Sequence, residues 1–324
     1  MNFIFQEGWR TMTKAIAPDR LTGVWSATPT PLTSAMKLDV VSVKRMVEHH
    51  LRLGVKGLFL AGTCGEGPVM PEKMKEDLVR ATADCAKGRL VLAAQVTDNS
   101  AARILDNIHA MKRCGADVAV IAPPYFAIES TKDGLLRTYV DAIRASDLPV
   151  GIYDRGKHSP VFVPNDVIRE IYRQKKVILV KDSSADFDRM RIALKVRKER
   201  PGLKLLTGWE FKCVPYLQAG YDGLLLGGGI FNGRLANLIM DAARAGDFAR
   251  AQKLQDRMNR MMWAVYGGKK ITCWMSGLKK LLVEMGVFRT WKSFYNYPLT
   301  ESCRKAIQKV MVRDADVLMG MVLS

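Results

Sequence analysis

Eight short apolar runs, each followed by a segment with helical spacing, constrain this chain more than any other feature. The runs fall at 23–28, 57–62, 89–96, 117–126, 148–154, 176–184, 203–208 and 221–229. They are apolar almost throughout rather than alternating, as parallel strands are when both faces of their sheet are covered. Helical spacing fills the intervals at 40–53, 71–86, 101–114, 132–145, 165–173, 187–197, 211–219 and 234–245. In the first of these, Val43, Met46, Val47 and Leu51 fall near one face. The second opens on Pro71 with Glu72, Glu76 and Asp77 early, where a helix dipole favours acids. Gly54, Gly115, Gly220 and Gly246 follow four of the segments, as C-terminal caps do.

Eight such alternations predict a (β/α)8 barrel. A doubly wound sheet needs a glycine-rich phosphate loop after its first strand, and here that loop reads SATPTPL at 26–32. The glycine-rich stretch LGGGIFNG at 226–233 has no GKS/T and no acidic ribose partner, so it reads as a place of close backbone approach to a substrate. Beyond residue 246 the strands stop. Three helical segments at 247–266, 271–286 and 300–321 form an expected C-terminal helical region. The organisation is thus an N-terminal arm at 1–20, a barrel at 21–246 and helices at 247–324. The arm lacks a basic region followed by an apolar one, so it is not a signal peptide, and Met12 is an alternative start.

Composition narrows the function classes. No apolar run reaches the roughly 18 residues a membrane helix needs. Six cysteines without a CxxC pattern read as reduced thiols of a cytoplasmic protein. His49 and His50 face different ways on one helix, and His109 and His158 stand alone, so no metal site is expected. The net charge of +18 is spread over small clusters on helices, without a basic tail or interleaved aromatics. It fits attraction of anionic small molecules, or a solvated surface, better than nucleic-acid binding.

In such a barrel, chemistry sits at the C-terminal ends of the strands. The run VILV at 177–180 ends on Lys181, an ammonium at the tip of a buried strand. Desolvation disfavours the charged form of an amine, and a neutral amine condenses with a ketone to a Schiff base. The plain alternative is a snorkelling lysine paired with Asp182. Tyr153, at the end of the fifth run, is the natural proton partner, with the Thr63 hydroxyl to hold it. Gly62 and Gly65 allow a tight turn whose amides face an anion such as a carboxylate.

Together these residues resemble the dihydrodipicolinate synthase / N-acetylneuraminate lyase family over nearly the whole chain, from about Thr22 onward. The loop G-[TS]-T-G-E of that family looks like GTCGE at 62–66, and its K-D-[ST]-S-G segment looks like KDSSA at 181–185. Its tyrosine precedes its lysine by 28 residues, as Tyr153 precedes Lys181. The resemblance implies a homotetramer or dimer with no cofactor. It implies a Schiff base with pyruvate or another 2-oxo acid on Lys181, Tyr153 and Thr63 in the proton relay, and carboxylate binding by the loop around Cys64.

The departures bear on the second substrate. Where the synthase has a tyrosine pair, the chain reads Tyr125-Phe126, and its Tyr-Asn-x-Pro-x-Arg is replaced by Tyr153-Asp154-Arg155-Gly156-Lys157-His158. The expected activity is therefore aldol cleavage, condensation or dehydration of a 2-keto-3-deoxy sugar acid. Arg155, Lys157 and His158 are its expected distal contacts, and Tyr125, Phe126 and Leu225 line the expected site. A genuine dihydrodipicolinate synthase and a catalytically silent 2-oxo-acid-binding protein are the alternatives.

Overall fold

The structure, a computed structural model, describes residues 16–127 and 130–319. Most of the arm expected at 1–20, with Met12, lies outside them; Pro18–Leu21 form a 3-10 turn. All eight expected strands form: β1 Gly23–Ala27, β2 Gly57–Leu60, β3 Val91–Gln95, β4 Val118–Ile121, β5 Val150–Asp154, β6 Val177–Asp182, β7 Lys204–Thr207 and β8 Gly223–Leu226. They pair in parallel in chain order, and β8 closes on β1 as a complete barrel. Closure leaves no sheet edge. Helices cover the outside and side chains fill the inside, which is why most strand residues are buried whichever way they point.

The helices of the barrel are α1 Val40–Arg52, α2 Glu72–Ala86, α3 Ala101–Arg113, α4 Lys132–Ala145, α5 Asn165–Tyr172, α6 Phe187–Glu199, α7 Val214–Gln218 and α8 Gly229–Arg244. Side-chain oxygens of Asp39, Ser100 and Thr131 accept the first free amides of α1, α3 and α4.

Two helices differ from the spacing. α7 starts three residues later than expected, because Pro215 belongs in a first turn and the Cys213 amide is taken by Gln255 Oε1 at 2.8 Å. α8 starts five residues earlier than expected. The Gly228 carbonyl accepts the amides of Phe231 and Asn232 at 2.9 and 2.8 Å, so the glycine-rich stretch is the opening of a helix.

The C-terminal region comprises α9 Phe248–Val265, α10 Trp274–Glu284, α11 Glu301–Arg313 and α12 Ala315–Leu318. The third expected segment is split at Asp314, whose buried carboxylate accepts Arg257 Nε at 3.0 Å. None of the described helices is long and apolar enough to cross a membrane.

Candidate active site

Strand register brings the two principal residues together. Tyr153 on β5 and Lys181 on β6 are direct partners in the parallel ladder. Partners in register point to the same face. Lys181 Nζ lies 4.2 Å from the centroid of the Tyr153 ring and 5.1 Å from that of Phe59. Phe59 meets Tyr153 edge to face at 5.7 Å. With Lys181 7% and Tyr153 6% exposed, the amine sits between two rings with little access to water.

The next register pair, Asp154 and Asp182, points away from this face by strand alternation. Asp182 accepts the Tyr221 hydroxyl at 2.7 Å and the Ser184 hydroxyl at 2.7 Å, so it is not the partner of Lys181. Burial pushes its carboxyl up to about 6, with the Asp154 charge adding to the effect. Asp154 accepts the Tyr172 hydroxyl of α5 at 2.8 Å and lies 3.5 Å from Arg189 of α6. These outward carboxylates tie the ends of β5 and β6 to their covering layer. At the end of β7, a Cβ on Gly208 would stand 2.9 Å from Lys181 Cε and 2.1 Å from Ser183 Oγ. Only glycine leaves the lysine its space.

The turn after β2 forms the neighbouring wall. It is closed by Glu66 N–H donating to the Thr63 carbonyl and Gly67 N–H to the Gly62 carbonyl, both at 3.1 Å. The amides of Thr63, Cys64 and Gly65 have no backbone acceptor among the described residues. Thr30 Oγ1 donates to the Gly65 carbonyl at 2.7 Å and holds the turn against the end of β1. Cys64 is buried, its Sγ 3.4 Å from the Gly227 carbonyl, and burial pushes its thiol far above the ordinary range. It packs the turn rather than offering a nucleophile. Thr63 is half-buried, and no hydrogen bond joins its hydroxyl to Tyr153 among the described residues.

The remaining expected residues divide. Tyr125 is half-buried, its hydroxyl accepts Gln95 Nε2 at 2.7 Å, and burial pushes its phenol up to about 12. Leu225 is buried on β8. Arg155 is half-buried, whereas Lys157 and His158 are exposed on a 3-10 turn. Phe126 is 64% exposed and lines an outer cleft of about 420 Å³ with Pro124, Thr131 and Leu135. The glycine-rich stretch makes its close approach within the protein: Gly228 N–H donates to Glu210 Oε2 at 2.7 Å.

Glu210 escaped the reading of the sequence. It stands three residues beyond β7 and its Oε1 accepts the Tyr266 hydroxyl at 3.2 Å. Burial raises its carboxyl, while the Gly228 amide, Tyr266 and Lys181 oppose the rise. A signal was available, since Glu210 lies two residues past the end of the seventh run, at a strand tip. Tyr266 lies just beyond the end of α9, where no local pattern marks it. Among the described residues, no three His, Cys, Asp or Glu side chains stand together as a metal site.

Known proteins resemble the chain over most of its length. The model of the dihydrodipicolinate synthetase family matches residues 20–313. A 4-hydroxy-tetrahydrodipicolinate synthase of an Anaeromyxobacter species is 29% identical over 247 residues, covering 75% of this chain and 83% of that protein. An N-acetylneuraminate lyase of Salmonella agona is 30% identical over 298 residues, covering 90% of this chain and 92% of the lyase. The solved dihydrodipicolinate synthase of Bacteroides thetaiotaomicron superposes with a TM-score of 0.81 at 26% identity, covering 90% of this chain and 98% of its own.

Proposed function

The chain belongs to the dihydrodipicolinate synthetase family, and we propose that it is a class I lyase that forms a Schiff base on Lys181 with a 2-oxo acid. The observation that carries this is the Lys181 amine 4.2 Å from the ring of its register partner Tyr153, beside a turn with unclaimed amides.

The Lys181 nitrogen attacks C2 of the 2-oxo acid, and Tyr153 gives its proton to the carbinolamine hydroxyl, which leaves as water to give an iminium and a phenolate. For a 2-keto-3-deoxy sugar acid, Tyr153 takes the C4 hydroxyl proton, the C3–C4 bond breaks, and its electron pair passes into the iminium as an enamine. Protonation at C3 and hydrolysis release pyruvate and an aldehyde. Condensation is the reverse. Thr63 relays the tyrosine's proton once bound substrate or a water bridges the two hydroxyls, and the 62–65 backbone receives the substrate carboxylate.

A sugar acid is favoured over aspartate semialdehyde by what surrounds the lysine. Half-buried Arg155 offers a distal contact to a polyhydroxylated chain. The motif after Tyr153 lacks both the proline and the arginine of the synthase. The working form is a cytoplasmic homo-oligomer, a tetramer or dimer, that needs no metal or organic cofactor.

Reductive trapping tests the reading. Pyruvate with borohydride is expected to add one pyruvyl group per chain, on Lys181 by peptide mass mapping. An adduct on another residue, or none with any 2-oxo acid, overturns it, and the latter leaves a silent binding protein. A coupled assay with pyruvate and aspartate semialdehyde distinguishes a genuine synthase.

A further inference from the structure

Glu66 ends the turn assigned to the substrate carboxylate, and it is a second carboxylate in the same place. Its side chain is 0% exposed, and so is that of Lys279 on α10, with which it forms an ion pair. Glu66 Oε2 also accepts the Ser293 hydroxyl at 2.7 Å and the Phe294 amide at 2.5 Å. Lys279 Nζ donates in turn to the Lys292 carbonyl at 2.7 Å. Among the described residues, every partner of this carboxylate outside its own turn comes from the C-terminal region. That region is anchored independently on the barrel, since the Thr290 hydroxyl donates to the Leu32 carbonyl at 2.6 Å and Arg289 pairs with Asp39 at 2.6 Å.

The turn itself does not hold its shape cheaply. Ala61 and Glu66 adopt positive φ, +52° and +62°, a region that side chains with a Cβ disfavour. Chain closure is so tight that a Cβ on Gly67 would stand 1.6 Å from the Ala61 carbonyl oxygen. Such backbone persists where the surroundings over-determine it. A buried carboxylate without a counter-charge would also repel an anionic substrate, because interior charges are weakly screened.

We propose that Lys279 is a positioning residue for substrate-carboxylate recognition. It neutralises Glu66 and, with Ser293, clamps the 62–67 turn so that the amides of Thr63, Cys64 and Gly65 meet the substrate's carboxylate. This rests on the Schiff-base reading above and adds that the C-terminal helices complete the 2-oxo-acid subsite.

The test compares pyruvate with methyl pyruvate, which keeps the ketone and masks the carboxylate. Each is titrated in borohydride trapping on wild type, Lys279→Met, Glu66→Gln/Lys279→Met and Ser293→Ala, with melting temperatures measured alongside. Lys279→Met is expected to raise the half-saturating pyruvate concentration roughly ten- to a hundred-fold, the range of a hydrogen bond to a charged group. Methyl pyruvate should stay within about twofold of wild type, because it presents no charge to repel. The double variant, a neutral pair of similar size, should recover most of the pyruvate loss, and Ser293→Ala should lose a few-fold for pyruvate alone.

A brace with no part in recognition would move both probes together, and that result overturns the proposal. So does unchanged pyruvate trapping in folded Lys279→Met, or a double variant no better than the single. If Lys279→Met does not fold, the double variant and Ser293→Ala decide by the same contrast. Wild type that traps both probes equally well keeps the Schiff-base reading and overturns the clamp. Wild type that traps neither overturns both.

Discussion

Lys181 and Tyr153 depend on each other through a few ångströms of strand register. The amine is held against the Tyr153 ring, and Gly208 keeps the space its chain occupies. Lys181→Arg is expected to abolish both turnover and trapping, because a guanidinium stays protonated and cannot condense. Tyr153→Phe should still form the pyruvate adduct but turn over about 10²–10⁴-fold more slowly, the span of a general acid–base contribution. Near wild-type turnover in that variant would remove Tyr153 from the mechanism. The distal loop gives a graded expectation. Arg155→Ala should lower kcat/KM on a keto-deoxy sugar acid by roughly ten- to a hundred-fold. Exposed Lys157 and His158 should tolerate alanine. Equal losses at all three positions would mean that the loop closes over the substrate as a unit.

At the scale of elements, the site stands on carboxylates and imidazoles buried behind the strands. His49 on α1 bonds through Nε2 to the Ile230 carbonyl of α8 at 2.8 Å, and His50 through Nδ1 to the Met46 carbonyl. Burial lowers the two rings to about 4 and about 3. Folding therefore holds them neutral at a pH where the unfolded chain protonates them. Their contribution is complete above about pH 6.5 and is lost as pH falls toward those lowered values. Denaturant unfolding between pH 7 and 4 should show it. In His49→Gln the slope of stability against pH should be shallower than in wild type by about 1.4 kcal/mol per pH unit, one proton's worth. Identical slopes would mean that the ring is already solvated in the fold. Asp182 acts in the opposite direction: its raised carboxyl loses stability as pH rises from about 4 to 6, so the comparison with the variant is what isolates the histidine.

For the whole molecule, net charge and assembly are the relevant quantities. A net charge of +18 attracts anions to the molecule as a whole, and salt screens that field. Activity on a 2-oxo acid should therefore fall as ionic strength rises, mainly through KM. A salt-independent KM would make the charge a matter of surface solvation alone. Phe126, 64% exposed beside the outer cleft, is a large apolar group left uncovered in the single chain. Sedimentation velocity is expected to show a tetramer or dimer, and Phe126→Ser should shift it toward smaller species. A monomer at all concentrations would end the expectation of assembly.

Much of this was readable in the sequence because its signals are local. A strand buried on both faces has to be apolar along its length, so all eight strands were visible as runs. Their number selected the closed barrel, and a closed parallel barrel places every strand end at one rim. Lys181 and Tyr153 stood out as candidates at their strand ends, with a snorkelling lysine still open, and the family resemblance singled them out. What the tertiary structure decided involves partners distant in sequence. Lys157 and His158 share a loop with Arg155, but only the packing beneath that loop determined which side chain is half-buried. α8 begins at Gly229 because a backbone carbonyl and a helix start coincide there, and helical periodicity cannot register this in a run of glycines. Lys279 looks in sequence like one of two adjacent surface lysines on an amphipathic helix. It became the partner of Glu66, 213 positions away, when the C-terminal region folded over the end of β2, because a carboxylate buried in that turn needs a cation and its own segment supplies none.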